Sequence, residues 1–383
     1  MAYEFIDTPA ALQRLCAQLR GSPWLALDTE FLRERTYRAQ LCLVQVAAPG
    51  DVLALVDTLA LESLEPLFER LFDPATVKVL HAARQDLEIF HDLTGRVPEP
   101  LFDTQLAATL AGCGDQVGYA DLVQRLLGVT LDKSQSRTDW TARPLSPEQL
   151  DYAADDVRHL GPLYAQLGER LQRAGRLEWL DQDFTALADP AQYRNDPEQA
   201  WQRLRGAGQL RGGQLNALRA LAAWREREAQ AADKPRRWIV DDAALLALAR
   251  ARPARREQLG RIRGLSEGLV RRHGADLLEL IHASRQAAPD TPPPSRPAPL
   301  AAAEEALVDA LMALLRLLAE RHEVSVATLA TRRDLEALVR GARDVPLLHG
   351  WRHGLAGGEV ERFLGGATRL RSADGRLRLE PAD

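Results

Sequence analysis

The chain has 383 residues, 46% hydrophobic and 27% charged. That is too long for one ordinary domain and apolar enough for packed cores, which excludes a chain disordered as a whole. The net charge of −5 is uneven: residues 1–200 carry 18 basic and 31 acidic side chains, residues 201–290 carry 18 and 10, and residues 291–383 carry 13 of each. An acidic first part repels a polyanion until cations neutralise it, whereas a basic middle part attracts phosphates at long range.

The N-terminal MAYEFIDTPAAL has no basic stretch followed by an apolar one, so no signal peptide is expected. Strands are predicted at 24–30, 41–47, 52–56 and 77–81, with Pro49-Gly50 as the turn between the second and third. Helices follow at 83–91, 104–110, 119–127 and 147–173. Short strands followed by strand–helix alternation indicate a mixed sheet with flanking helices. After about residue 205 no strand signal remains, and residues 209–284 read as helical. Leu215, Leu218, Leu221 and Ala222 form one face there, Asp241 is a helix cap, and Gly264 and Gly274 are helix ends. PDTPPPSRPAP is a proline-rich spacer. The segment 301–318 is interrupted by Glu304, Glu305, Asp309 and Arg316, so it is predicted to be an amphipathic core helix and not a membrane span. Cys16, Cys42 and Cys113 lack metal-type spacing and cannot all pair, which fits a reducing, cytoplasmic setting.

Three blocks carry the chemistry. In WLALDTEF, Asp28 and Glu30 are two apart on a strand and share a side. In HAARQDLEIF, Asp86 falls on the helical face of Ala82, Ile89 and Phe90, where a solvated carboxylate does not belong. In YAADDVRHL, Tyr152 and Asp156 are one helical turn apart. Each Asp alone is more often a cap or a solvated residue. Together they require a positive charge to gather them, and oxygen donors without His or Cys suit Mg²⁺ or Mn²⁺. Two such ions would clamp the attacking and leaving oxygens of a phosphodiester.

In order and wording the three blocks resemble the exonuclease motifs of the DEDD superfamily, in its tyrosine branch, and in particular the bacterial ribonuclease D family. The sister branch has a His five residues before the last Asp; here that position is Asp151. The resemblance implies a ribonuclease H-like α/β exonuclease domain followed by two all-α HRDC-type domains. The implied division is 1–205 exonuclease, 206–288 basic RNA-binding HRDC domain, 289–300 linker, and 301–383 a fainter second HRDC-like domain and tail. It implies Asp28, Glu30, Asp86 and Asp156 as metal ligands, with Asp28 bridging two ions and Tyr152 orienting the attacking water. It also implies a 3′→5′ exoribonuclease that releases nucleoside 5′-monophosphates from RNA, tRNA precursors among them. A DNA 3′ exonuclease and a noncatalytic RNA-binding scaffold are the competing readings.

Just before the third block, KSQSRTDWTARP loses its apolar period. Lys133, Arg137 and Arg143 could contact phosphate there, with Trp140 against a base or sugar. In the alternative, Trp140 anchors the loop and the arginines form ion pairs.

Overall fold

The computed structural model describes residues 2–132, 135, 138–287 and 299–382. The chain forms two units: Met1–Glu30, Leu41–Gln192 and Pro299–Asp383 in the first, Phe31–Gln40 and Tyr193–Ala298 in the second.

The first unit is built on a six-stranded sheet of β1 (Glu4–Ile6), β2 (Trp24–Leu32), β3 (Gln40–Ala48), β4 (Val52–Asp57), β5 (Val77–Leu80) and β6 (Leu101–Asp103), in the order β1-β4-β3-β2-β5-β6. It is mixed, as expected. β1 and β4, β2 and β5, and β5 and β6 pair in parallel, while β3 and β4 are antiparallel. The β3–β4 reversal uses Gly50 and Asp51, both at positive φ (79° and 62°), the backbone geometry a tight hairpin turn demands. Leu25, Ala26 and Leu27 have no exposed surface, so β2 is fixed in the core just before Asp28. β1 and β6, three residues each, are too short to show a period and were not expected; nor were α1 (Pro9–Leu19), capped by Thr8, and α2 (Glu65–Leu71).

α3 (Arg84–Thr94) connects β5 to β6, and α4 (Thr104–Leu110) and α5 (Tyr119–Leu127) follow the last strand of the sheet. The single helix expected over 147–173 is two, α6 (Pro147–Arg158) and α7 (Leu160–Arg173). Pro162 has no N–H and its ring clashes with the carbonyl four residues earlier, which breaks the helix at His159. α6 starts on Ser146, whose side chain accepts from the Gln149 amide while Gln149 returns a bond to the Ser146 amide, with Pro147 at the first position. α8 (Leu180–Ala188) closes this stretch.

The second unit contains α9 (Gly213–Ala232), α10 (Arg236–Ile239), α11 (Asp242–Ala251), α12 (Arg256–Leu259) and α13 (Glu267–Gln286). Its core holds Leu215, Leu218, Leu221 and Ala222, the predicted face, together with Ala200, Trp201 and Leu204. Asp241 caps α11 by accepting from the Ala244 amide at 2.7 Å. Gly264 precedes α13 with φ 92°, but Gly274 is not the helix end expected of it; it lies inside α13, where an added Cβ would stand 3.5 Å from Leu259.

In the first unit, residues after 298 begin with α14 (Ala302–Arg321), α15 (Val326–Leu329) and α16 (Arg332–Val339). α14 is amphipathic as predicted, with Val308, Leu311, Leu314, Leu315 and Leu318 buried. No helix among the described residues is long and apolar enough to cross a membrane. The expectation of no strands after residue 205 fails at the end of the chain. β7 (Thr368–Ala373) and β8 (Arg376–Pro381) form an antiparallel hairpin. TRLRSA and RLRLEP alternate at period two, and Asp374-Gly375, at φ 54° and 71°, supplies the turn that such a hairpin needs. Within the same unit the Trp179 and Trp351 rings stack with centroids 5.2 Å apart, and Arg176 donates to the carbonyls of Leu110 (3.0 Å) and His322 (2.6 Å). This C-terminal segment thus packs against the part of the unit that carries the sheet.

Candidate active site

Asp28 and Glu30 leave the buried run of β2, and Asp156 comes from α6. Their ligand oxygens lie within 4.8 Å of one another. The strand alternation and the capping box that starts α6 therefore deliver three of the four predicted carboxylates to one point.

Asp86, in the first turn of α3, is outside that trio and buried at 7% exposure. Its Oδ1 accepts a 2.5 Å hydrogen bond from the Thr29 hydroxyl. It still belongs to the same electrostatic cluster, because its charge helps to raise Asp28 and Glu30. The turn before α3 is held by Asp103, which is also buried. It accepts from the amides of Ala82 (3.2 Å) and Ala83 (2.9 Å) and caps α4 through Gln105 (2.8 Å). Asp103 thereby sets where Asp86 emerges.

The carboxylates are costly as anions. Burial, and then the neighbouring charges of Asp86, Asp156 and Glu30, lift Asp28 well above the usual carboxylate range. Burial followed by Asp156 and Asp86 pushes Glu30 up to about 9. Burial is also the main cause that raises Asp86 and Asp156, each to about 7. A divalent cation would reverse this cost, and an oxygen-only donor set is the kind hard cations take. The residues present therefore fit a divalent metal ion.

Tyr152 stands one helical turn before Asp156 on α6, close enough for each to shift the other's titration. Burial and then the Asp156 charge raise its phenol, which stays protonated and serves as a donor. Beneath it lies Trp140, with ring centroids 6.2 Å apart. At 3% exposure Trp140 has no free face for a base or sugar, so its expected substrate contact gives way to the anchoring role. Arg143 is likewise corrected. It donates from Nε and one terminal nitrogen to Asp57 (both 2.7 Å), and to the carbonyls of Trp140, Ala142 and Cys42 at 2.8, 2.8 and 2.9 Å. Those five bonds use every N–H a guanidinium has and leave none for phosphate. Lys133 and Arg137 lie outside the described residues.

Sequence reasoning missed Thr29, Asp103, Asp57 and Tyr119, whose hydroxyl donates to the Asp155 carbonyl at 2.9 Å and ties α5 to α6. Only Asp103 left a readable signal, as an Asp just ahead of TQLAATL, the pattern of a helix cap.

The 3′-5′ exonuclease family matches residues 3–172, and the HRDC domain matches residues 214–281. The chain is 45% identical to a ribonuclease D of Gluconacetobacter diazotrophicus, over 98% of this chain and 96% of that one. With a ribonuclease D of Acidiphilium cryptum it shares 46% identity over 99% and 96%. Among solved structures it resembles Escherichia coli RNase D, described as an exoribonuclease involved in structured RNA processing. The TM-score there is 0.80 and the identity 35%, covering 95% of this chain and 99% of that one.

Proposed function

The chain belongs to the ribonuclease D family and is an exoribonuclease, and from that premise we propose that it trims RNA 3′ ends, tRNA precursors among them, by two-metal-ion hydrolysis to nucleoside 5′-monophosphates. The observation that carries the mechanism is the convergence of Asp28, Glu30 and Asp156 oxygens within 4.8 Å, beside a protonated Tyr152.

In this reading Asp28, Glu30, Asp86 and Asp156 would hold two divalent ions, Mg²⁺ or Mn²⁺. Bound ions of this kind lower the pKa of the attacking water and neutralise charge on the attacking and leaving oxygens. The chain's own residues do the rest. Tyr152 offers its hydroxyl to the water, Trp140 supports that phenol from below, and Thr29 fixes the rotation of the Asp86 carboxylate. A phenol held above its ordinary value cannot act as a general base near neutrality, so Tyr152 orients and does not deprotonate.

The proposed division is residues 1–205 for chemistry, 206–288 as the basic HRDC domain for RNA capture, 289–300 as linker, and 301–383 as a second HRDC-like domain. The three cysteines are buried and form no disulfide, which supports a cytoplasmic setting. The deciding experiment presents matched RNA and DNA oligomers, free or 3′-blocked, to the protein with Mg²⁺ or Mn²⁺. Stepwise loss of 3′ nucleotides from unblocked RNA is expected. Preference for DNA would overturn the RNA assignment, and equal cleavage of blocked RNA would overturn the exonuclease assignment.

A further inference from the structure

In the second unit, the segment Phe31–Gln40 is tied to the helices by a polar network that is partly buried. Tyr37 donates from its hydroxyl to Glu226, which is 1% exposed, and the amides of Tyr37 and Arg38 both donate to Asp233 Oδ1 at 3.1 Å. Arg236 completes the knot, with Nε 2.6 Å from Glu226 and its guanidinium 4.7 Å over the Tyr37 ring. A fixed wall of this kind gives shape to the cavity beside it.

That cavity has a volume of about 450 Å³, enough for one nucleotide, and is lined by both the 31–40 segment and the α9–α10 region. Five of its lining residues are arginines (Arg33, Arg203, Arg225, Arg236 and Arg237) against two carboxylates, Glu34 and Asp242, with Glu226 behind them. The balance stays positive after the internal ion pairs are counted. Arg237 keeps 77% of its side chain exposed and meets Asp242 only at 3.5 Å, while Arg203 spends one bond on the neutral Asn195. At the same cavity Trp238 is 61% exposed. An exposed aromatic face beside exposed guanidinium groups suits a base and its phosphate.

We infer that this cavity is a single-stranded RNA subsite, in which one base stacks on Trp238 and the adjoining phosphate meets Arg203 and Arg237. The inference rests on the exoribonuclease reading and adds to it a named contact, beyond the general attraction that the basic excess of residues 201–290 supplies.

The test measures affinity of the full-length protein, held in EDTA to prevent turnover, for a labelled oligoribonucleotide of about eight nucleotides. Trp238→Ala is expected to weaken binding roughly tenfold, and Trp238→Phe to retain most of it. Arg237→Glu is expected to weaken binding and flatten the salt dependence by about one phosphate contact. Wild-type affinity in Trp238→Ala, or equal loss in Ala and Phe variants, would overturn the stacking assignment. So would a preference of the cavity for an acidic peptide over RNA. If the wild-type protein degrades no RNA at all, the exoribonuclease reading falls; if it does and Trp238→Ala binds normally, only the subsite falls.

Discussion

The Thr29 hydroxyl donates to Asp86 Oδ1 at 2.5 Å, joining the middle residue of the first acidic motif to the acid of the second. The bond fixes which way the buried carboxylate turns. Thr29→Val keeps the shape and removes the donor, so metal affinity and turnover are expected to fall about 10–100-fold, as for other partners that orient a ligand. Thr29→Ser should recover most of both. A Mn²⁺ titration of activity reads this, and a Val variant with the wild-type metal requirement would remove Thr29 from the site.

The metal-free carboxylates make stability depend on pH in a defined direction. In the unfolded chain they ionise near pH 4, whereas burial and mutual repulsion hold Asp86 and Asp156 near 7 and Glu30 near 9 when folded. The folded state therefore binds more protons between those limits. The stability these groups allow is present below about pH 4 and is lost as pH rises through about 7 to 9. The melting temperature in EDTA should decline from about pH 5.5 to about pH 8.5, with Mn²⁺ restoring more at the higher pH. A metal-induced shift that shrinks as pH rises would contradict it.

Neutralising one member of the cluster separates stability from activity. Asp28→Asn should cost more turnover than the ~100-fold typical of residues that only support a ligand, yet raise the melting temperature of the metal-free protein by relieving repulsion with Glu30, Asp86 and Asp156. Asp156→Asn should behave alike. A variant that is both active and less stable than wild type would argue against a metal-ligand role.

Asp57 is buried and doubly bonded by Arg143, a partly exposed arginine that also holds the carbonyl of Trp140. Arg143→Ala strands the Asp57 charge and should cost about 3 kcal/mol, the low end for a broken buried pair because the Arg143 side chain is 26% exposed. Urea unfolding measures it, and turnover should fall too as Trp140 no longer braces Tyr152. Although burial alone would raise Asp57, the Arg143 bonds and charge outweigh it and hold the carboxyl below its usual value. The pair's contribution is thus present above about pH 4 and fades as pH falls further.

Residues 299–383 share a unit with the exonuclease part, through the Trp179–Trp351 stack and the Arg176 bond to the His322 carbonyl. Ending the chain after Ala287 should lower the melting temperature of the exonuclease part by about 2–4 °C or more for each kcal/mol lost, besides weakening long substrates. Unchanged melting would show the segment to be independent.

The local pattern was sufficient for the acidic motifs, for the mixed sheet, and for the buried face Leu215, Leu218, Leu221 and Ala222, because strand alternation, helical period and capping are written within a few residues. It is insufficient at 147–173, where Pro162 interrupts an otherwise continuous apolar period, and at the C-terminus, where the Asp374-Gly375 turn joins two short alternating runs into a hairpin. Trp140 and Arg143 could not be assigned from the sequence at all. A tryptophan and an arginine in a polar loop look the same whether they face substrate or core, and only the tertiary approach of Asp57, 86 positions away, consumes the guanidinium. The same holds for Tyr37 and Trp238: hydrogen bonds and cavities join residues about two hundred positions apart, and no periodicity encodes such distances. The residue types thus determined which chemistry the chain can carry, and the folded packing decided which of those side chains remain available to carry it.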